Sequence, residues 1–434
     1  MDRQSYISPF MERYGTDKMR HIFSDEYRHT LWRVLWYNLA CAEYNCGAPI
    51  TEYNLRDIGI AVYDDINYNK VKEYEDKTHH DVVAHLMEFG DHCPNSKSIL
   101  HLGATSCYIS DNADIVIMRY ALENVETHLH NIIEKLSHRA VAGAGIPLVG
   151  RTHLQKAQLT TVGKRICMWI NDFMIDYDMI VYVQNNIKML GCKGATGSQS
   201  SLYTLFDGNY SKACKLDELI GKTYGMDVVD ISGQTYTRKY DSMVANVLSQ
   251  IAQSASKMAT DIRLMASFGE MYEGFGKEQV GSSAMPYKRN PITCEKICGI
   301  SRYVICNSQN MAITASTQWL ERTLDDSSNK RLVMAELFLG ISEILKCVEG
   351  LADGGLIINS ELCWSNAKEH SKMASLEDDI IRNVMNGGDR LEDHKKAIWS
   401  DGSANAQINT GFAKQQVITF CDKIKARLHL NEQI

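Results

Sequence analysis

The sequence predicts an all-α protein built from long helices that pack side by side. Only six of its 434 residues are proline, and none lies between Pro147 and Pro286 or after Pro291. Because proline disrupts helix interiors, these gaps leave room for long uninterrupted helices. Apolar residues also recur at steps of three and four over stretches of up to about 30 residues, as they do in amphipathic helices.

Residues 1–104 are predicted to form an amino-terminal domain of shorter helices and loops. Ser24 can cap a helix in which tryptophan and leucine recur at helical steps. Further on, the pair His79-His80 precedes Asp81 and opens an apolar helix. By itself such a histidine pair is more typical of a surface, or of a buried hydrogen-bonded group, than of a functional site.

Residues 105–357 are predicted to form a central bundle. The first long helix follows a cap at Ser110-Asp111 and ends near the glycines at 143 and 145. Further long helical patterns cover about 155–190, 239–268, 293–317 and 329–351. Helices of this length bury their apolar stripes against one another, which favours a bundle. Residues 358–434 are then a small helical domain, with Gly387-Gly388 as a turn.

Composition narrows the class of function. The net charge of −7 argues against a general nucleic-acid binder, which needs a basic face to displace counterions. The thirteen cysteines show no zinc-ligand spacing and are predicted to be reduced thiols in the cytoplasm, with no metal site. No apolar run suits a signal peptide or a membrane span, so we expect no membrane partner.

A loop at residues 270–292 carries the densest chemistry in the chain. Residues 281–291 read Gly-Ser-Ser-Ala-Met-Pro-Tyr-Lys-Arg-Asn-Pro. Gly281 frees the backbone and two prolines stiffen it, around two hydroxyls, a lysine, an arginine and an amide. As composition alone, the stretch is equally typical of a linker and of a functional loop.

The order of these residues resembles the signature of the fumarase and aspartase superfamily of lyases. Within it, Ala-Met-Pro-Tyr-Lys-Arg-Asn-Pro is similar to the adenylosuccinate lyase branch, and Arg151-Thr152-His153-Leu154-Gln155 resembles a second family motif. The resemblance covers most of residues 5–350 in pieces. It implies a homotetramer with a common helical core and active sites shared between subunits. It also implies elimination of fumarate from succinylated purine nucleotides without any metal or organic cofactor.

Such an elimination needs a base, donors for a developing dianionic carboxylate, and an acid for the departing nitrogen. Chemistry alone does not separate Ser282 from Ser283 as base, nor choose the acid among fourteen histidines. The resemblance implies catalytic roles for Ser282 as the base, His153 as the acid, Glu295 as the carboxylate that orients His153, His80 as an assistant in acid catalysis, and Lys288 as a cation on the substrate.

The resemblance also implies a set of substrate-binding residues, with a phosphate subsite at Arg322, Ser327 and Arg331. The full set is Arg13, Tyr14, His79, His80, Asp81, Thr105, Ser106, Gln234, Lys288, Asn290, Lys296, Arg322, Ser327 and Arg331. Two residues depart from the family pattern. Lys156 stands where the family often has proline, and Lys296 stands where we expect an arginine, whose bidentate geometry lysine lacks.

Two other readings stay open at this point. The chain could be another fumarate-releasing lyase of the superfamily, such as one acting on argininosuccinate. A phosphate subsite built on Arg13, Arg322 and Arg331 argues against that. It could instead be a non-catalytic helical scaffold with the lyase fold, which the joint presence of the serine, lysine, histidine and glutamate argues against.

Overall fold

The computed structural model describes residues 4–285 and 287–431, so Pro286 of the predicted loop lies outside the described residues. The described chain is mostly helical, with two short two-stranded sheets. The predicted all-α class is therefore confirmed.

The amino-terminal helices are short, apart from the third. Ser24 caps that helix by accepting a hydrogen bond from the backbone N–H of Tyr27, as predicted. Its apolar face buries Leu35, Trp36 and Leu39. The six helices are α1 (Pro9–Glu12), α2 (Asp17–Ile22), α3 (Asp25–Asn45), α4 (Glu52–Ala61), α5 (Tyr68–Thr78) and α6 (Asp81–His92).

Five further helices contain the predicted long patterns. They are α7 (Ser106–Ala142), α8 (Val162–Asn186), α11 (Lys239–Phe268), α12 (Ile292–Asn307) and α14 (Asp325–Gly350). Along α11 the side chains of Val244, Leu248, Ile251, Ala255, Met258, Ile262 and Met265 are all buried, as the helical spacing predicted. The 30 residues of α11 span about 45 Å.

Three helix boundaries differ from the prediction. Helix α7 begins at Ser106, so Ser110 lies inside it and donates to the carbonyl of Ser106 rather than acting as a cap. Residues 155–161 form a strand instead of the start of a helix. The predicted helix over 293–317 is broken at Ser308 into α12 and a shorter α13 (Gln309–Ser316).

The two small sheets are antiparallel pairs. Strand β1 (Pro147–Thr152) pairs with β2 (Gln155–Thr161), and β3 (Met271–Glu273) pairs with β4 (Leu356–Ile358). Just after β2, the backbone of Gly163 lies against α7: a Cβ at this position would be 2.3 Å from the carbonyl oxygen of Ala140. Only glycine permits this close approach, which explains why a glycine lies within an otherwise regular helical pattern.

The remaining helices are α9 (Ser200–Leu205), α10 (Tyr210–Thr223), α15 (Ser360–Ala374), α16 (Leu376–Met385), α17 (Arg390–Ala397) and α18 (Ala413–Asn431). Gly387 has a positive φ of 88° between α16 and α17, which agrees with the predicted turn.

The chain divides into two compact units. Unit 1 comprises residues 1–125, 179–249 and 303–342, and unit 2 comprises residues 126–178, 250–302 and 343–434. The predicted acid, base and signature loop belong to unit 2, whereas the predicted phosphate subsite and Gln234 belong to unit 1. The predicted boundaries at residues 104 and 357 stay a prediction.

Candidate active site

The signature loop is fixed at both ends by one buried carboxylate in unit 2. Glu273, the last residue of β3, accepts hydrogen bonds from the backbone N–H groups of Thr293 at 3.0 Å and Cys294 at 2.6 Å, in the first turn of α12. The carboxylate thereby satisfies N–H groups that a helix start leaves unpaired, at the positive end of the helix dipole. The two ends of the loop at residues 274–291 are therefore held next to each other. Sequence reasoning missed Glu273.

Ser282 is held by the backbone of its own loop. Its Oγ accepts hydrogen bonds from the N–H groups of Met285 at 3.1 Å and Ala284 at 3.4 Å. Ser282 is half-buried, whereas Ser283 is exposed. N–H donors that point at a hydroxyl oxygen stabilise its deprotonated form more than its neutral form. This geometry favours Ser282 over Ser283 as the base.

The loop folds back on itself between Gly281 and Asn290. The side-chain amide of Asn290 donates to the carbonyl of Gly281 at 2.8 Å. A Cβ on Gly281 would lie 2.2 Å from the carbonyl oxygen of Lys288, so the two backbone segments are in close contact. The side chain of Lys288 is exposed. The Asn290 amide therefore helps to hold the shape of the loop. The same loop carries the exposed cation of Lys288, six residues after Ser282.

His153 lies at the tip of the β1–β2 hairpin. Its φ is 53° and that of Leu154 is 60°, and a two-residue type I′ turn requires positive φ at both central positions. Non-glycine residues adopt such a backbone at a cost of roughly 1–3 kcal/mol each, and strain of this kind clusters at functional sites. The hairpin presents an exposed imidazole on a fixed turn. The sequence Thr-His-Leu-Gln contains no turn signal, so the hairpin was not predicted, and a helix was expected from about residue 155 where β2 lies.

Arg151 braces this hairpin close to its turn. Its guanidinium lies 3.9 Å from the ring centroid of Phe268 and 3.7 Å from the carboxylate of Glu270, which is fully buried. Asn366 donates to the same carboxylate at 3.0 Å. A cation over an aromatic face and beside a buried carboxylate is held firmly. Arg151 thus connects the strand that leads to His153 with the residues just before β3.

Helix α12 carries two predicted site residues, Glu295 and Lys296, and their surroundings differ. Glu295 is exposed, and in the part of the chain that the structure describes its carboxylate makes no hydrogen bond with His153. Lys296 donates to the buried carboxylate of Glu343 at 2.7 Å. Burial lowers the pKa of Lys296, but the neighbouring Glu343 and the Cys347 thiol outweigh it and the pKa is raised. Lys296 is therefore a charged lysine with an acidic partner of its own.

In unit 1, several predicted binding segments meet at Gln234. Its Oε1 accepts a hydrogen bond from the Cys107 thiol at 3.3 Å, and its Nε2 donates to the carbonyl of Ala195 at 3.2 Å. Its backbone N–H donates to the carbonyl of Glu321 at 2.9 Å. These contacts gather the segments that carry Thr105, Ser106, Gln234 and Arg322.

A buried ionic network that sequence reasoning missed supports this region. Arg238 is only 2% exposed and contacts Asp111 at 2.9 Å and Asp326 at 2.5 Å. Asp326 also accepts from Arg322 at 2.8 Å, and it directly precedes the half-buried Ser327 in α14. Burial raises the pKa of Asp326, but the two guanidinium groups outweigh it and hold the pKa below its usual range. The sequence did contain a signal for this network, because charged residues within apolar helical patterns indicate buried ion pairs.

The histidine pair of the first domain caps a helix. His80 Nδ1 accepts from the backbone N–H of Val83 at 3.4 Å, and His79 precedes it with a left-handed φ of 52°. Asp81 accepts from Arg331 at 2.6 Å. Burial raises the pKa of Asp81, but the hydrogen bond from the Val82 N–H and the nearby Arg331 outweigh this effect and hold the pKa below its usual range. The carboxylate therefore stays charged. Arg331 is thus placed by Asp81 while remaining largely exposed.

Arg13 and Tyr14 follow the short helix α1. The backbone N–H of Arg13 donates to the carbonyl of Pro9, and its side chain is exposed. The Tyr14 ring packs edge-on against Phe10 at 6.2 Å. Both residues belong to unit 1, as do all the predicted residues of the phosphate subsite.

Metal-binding clusters and membrane-spanning helices are both absent from the described residues. No group of three or more His, Cys, Asp or Glu side chains in residues 4–285 and 287–431 is arranged to hold a metal ion. Across the same residues, none of the helices combines the length and apolarity that crossing a membrane requires.

Comparison with known proteins identifies relatives across most of the chain. The model of the family described as Lyase matches residues 12–306. The adenylosuccinate lyase of Schizosaccharomyces pombe is 40% identical over 398 residues, covering 91% of this chain and 82% of that protein. The adenylosuccinate lyase of Saccharomyces cerevisiae is 38% identical over 399 residues, again covering 91% and 82%.

Solved structures of the same fold are more distant in sequence. The 3-carboxy-cis,cis-muconate lactonizing enzyme from Pseudomonas putida has a TM-score of 0.82 at 21% identity, over 97% of this chain and 99% of that one. A fumarate lyase from Mesorhizobium sp. BNC1 has a TM-score of 0.78 at 22% identity, over 91% and 86%. At such identities the likeness concerns the fold alone.

Proposed function

Since the chain belongs to the adenylosuccinate lyase family of carbon–nitrogen lyases, we propose that it cleaves adenylosuccinate to AMP and fumarate. We propose the same β-elimination for the succinylated carboxamide ribotide of purine synthesis. The observation that carries the proposal is the pair of backbone N–H groups on Ser282 Oγ, within a loop whose sequence matches the family signature.

In the proposed reaction, Ser282 removes a proton from the carbon beside a succinyl carboxylate. The electron pair left on that carbon forms the new carbon–carbon double bond of fumarate as the carbon–nitrogen bond breaks. His153 donates a proton to the departing nitrogen. A serine hydroxyl is a weak base, so it needs donors that stabilise its alkoxide, and the N–H groups of Met285 and Ala284 supply them.

In this proposal, different residues hold the succinyl group and the nucleotide. Lys288 and Asn290 bind the succinyl carboxylates, and Lys296 contacts the substrate from α12. Glu295 tunes His153, and His80 assists acid catalysis. The nucleotide is bound in unit 1 by Arg13, Tyr14, His79, Asp81, Thr105, Ser106, Gln234, Arg322, Ser327 and Arg331. Arginine suits a phosphate because its guanidinium can donate two parallel hydrogen bonds.

A spectrophotometric assay with purified protein tests the activity. We expect adenylosuccinate to be consumed, with AMP and fumarate appearing in equal amounts by chromatography. Argininosuccinate run in parallel should stay intact. Release of arginine and fumarate from argininosuccinate would favour the other lyase class, and no turnover of either substrate would favour a non-catalytic scaffold.

We also propose that the protein is a cytoplasmic homotetramer with active sites shared between subunits. All thirteen cysteines are free thiols, as a reducing compartment would keep them. Two observations support assembly. Glu295 makes no bond to His153 among the described residues of one chain. Helix α8 leaves the apolar side chains of Met168 and Ile175 about half exposed, one heptad apart.

The tetramer has a direct test in the mass of the protein in solution. A charge placed in an apolar helix–helix interface is costly to bury, so Ile175→Glu should shift the mass from tetramer towards smaller species in light scattering. The matched control is Lys239→Glu, at an exposed position in the first turn of α11. A wild-type mass equal to one chain would contradict the proposal.

A further inference from the structure

Residues 192–199 form a loop that a buried carboxylate holds in place. Asp217 of α10 is buried and accepts hydrogen bonds from the backbone N–H of Cys192 at 2.7 Å, Lys193 Nζ at 2.7 Å and Gln199 Nε2 at 2.9 Å. The backbone N–H of Gln199 also donates to the carbonyl of Lys193 at 2.9 Å. One buried carboxylate therefore fixes both ends of this loop.

The same loop packs directly on the segment that carries Gln234. Gly197 has a φ of 78°, and a Cβ there would lie 1.9 Å from the carbonyl oxygen of Ser232. Only glycine permits two backbones to approach this closely. The carbonyl of Ala195 accepts the Gln234 Nε2 hydrogen bond described above. The loop is therefore part of the region where the predicted binding segments of unit 1 meet.

Two hydroxyl side chains project from this loop at Thr196 and Ser198. Their oxygens are 2.9 Å apart, and both residues are exposed. When two hydroxyls share one hydrogen bond, the second hydroxyl proton remains able to donate to a ligand. Because the loop is already ordered by Asp217 and by its contact with Ser232, a ligand would bind there with little further ordering of the backbone.

We propose that Thr196 and Ser198 form a hydroxyl pair that donates a hydrogen bond to an anionic oxygen of the substrate beside Gln234. The inference rests on the proposed function, in which Gln234 contacts the substrate. The anionic oxygen belongs either to a carboxylate of the succinyl group or to the nucleotide phosphate, since both are acceptors of the same kind. The pair binds substrate and takes no part in proton transfer.

Steady-state kinetics of the double variant Thr196→Val, Ser198→Ala tests the pair. We expect KM for adenylosuccinate to rise at least about tenfold, because a hydrogen bond to a charged group is lost, while kcat changes little. Thr196→Ser in the wild-type background keeps the hydroxyl and should stay near the wild-type KM. The matched control is Thr204→Ala, whose exposed hydroxyl bonds to its own helix at Ser200.

Calorimetric titration with AMP and with fumarate distinguishes the two anions. Weaker binding of AMP by the double variant identifies the phosphate, and weaker binding of fumarate identifies the carboxylate. Unaltered affinity for both products, together with an unaltered KM, would overturn the hydroxyl pair. Because product binding is measured without turnover, a wild-type protein that binds both products but does not cleave adenylosuccinate would contradict the proposed function and not this inference.

Discussion

At the scale of single residues, the environment of Ser282 distinguishes two serines that are chemically equivalent in the sequence. The oxygen of Ser282 receives two backbone N–H donors, whereas Ser283 faces solvent. A donor pair of this kind resembles an oxyanion hole, which acts by being in place before charge develops. The preference arises from the path of the backbone over four residues, and residue type alone does not contain it.

We predict that Ser282→Ala lowers kcat for adenylosuccinate at least about 100-fold, because a general base contributes on that order. Ser283→Ala is the matched control and should stay within a few-fold of wild type. Both variants should unfold within a few degrees of the wild-type temperature, since each loses one small hydroxyl outside the core, and the N–H groups that Ser282→Ala leaves without Oγ can bond to water. Equal losses in the two variants would contradict the assignment of Ser282 as the base.

A second residue-scale feature lies outside the candidate site. Glu43 on α3 is fully buried, and neither of its carboxylate oxygens has a hydrogen-bond partner in the described residues. Burial raises the pKa of Glu43 to about 9, because desolvation disfavours the charged form. The folded protein therefore keeps a proton on Glu43 that the unfolded chain releases above its ordinary pKa.

This proton links stability to pH in a defined direction. Between about pH 4.5 and pH 9, Glu43 is protonated in the folded state and ionised in the unfolded state. Through this group, rising pH therefore lowers the free energy of unfolding by up to about 1.4 kcal/mol per pH unit. Glu43→Gln removes the titration while keeping the shape. Thermal unfolding from pH 5 to pH 8 should show a steeper loss in wild type than in Glu43→Gln. Parallel curves would contradict the raised pKa.

At the scale of elements, the structure turns a flexible-looking stretch into an anchored loop. By composition, Gly281 and the two serines were as typical of a linker as of a functional loop, but Glu273 joins the start of this loop to the beginning of α12. A hydrogen bond from a backbone N–H to a carboxylate is worth about 1.5–3 kcal/mol. The anchor therefore determines where residues 281–290 lie relative to β3 and α12.

We predict that Glu273→Ala lowers turnover of adenylosuccinate at least about tenfold, because the loop that carries Ser282 loses its anchor. Amide hydrogen exchange in residues 274–294 should accelerate, while exchange in α11 stays unchanged. Glu278→Ala, at an exposed position of the same loop, should do neither. Faster turnover, or unchanged exchange in the loop of Glu273→Ala, would show that the anchor has no such role.

The elements that the sequence predicted well are those governed by periodicity. Helices α7, α11 and α14 follow apolar stripes that continue for many turns, and the long pattern makes the prediction robust. The β1–β2 hairpin was missed because its turn is made by His153 and Leu154, which adopt positive φ without glycine or asparagine. Tertiary packing against α15, where His370 donates to the carbonyl of Ala157 at 2.7 Å, supports that turn.

At the scale of the whole molecule, the predicted site residues separate into two groups by unit. The acid, base and signature loop belong to unit 2, and the phosphate subsite belongs to unit 1. The shared active sites proposed for the tetramer would let different chains supply different groups to one site. That arrangement can be tested with two inactive proteins.

We predict that a mixture of His153→Ala and Ser282→Ala proteins regains activity after dissociation and reassembly. Some sites in the mixed oligomers would receive an intact His153 from one chain and an intact Ser282 from another. Recovery of up to about a quarter of wild-type activity is expected when each site takes one residue of each kind at random from different chains. Each variant reassembled alone serves as the control, and a mixture that stays inactive would show that both residues come from one chain.

The sequence by itself determined the all-α class, the long helices and the chemical identity of the signature loop, because these depend on local periodicity and on residue type. Only the tertiary structure decided the turn that presents His153, the Glu273 anchor and the meeting of segments around Gln234. The physical reason is that each of these depends on a hydrogen bond or a close backbone contact between residues distant in sequence. No local pattern encodes such contacts, and they become visible only when the helices have packed.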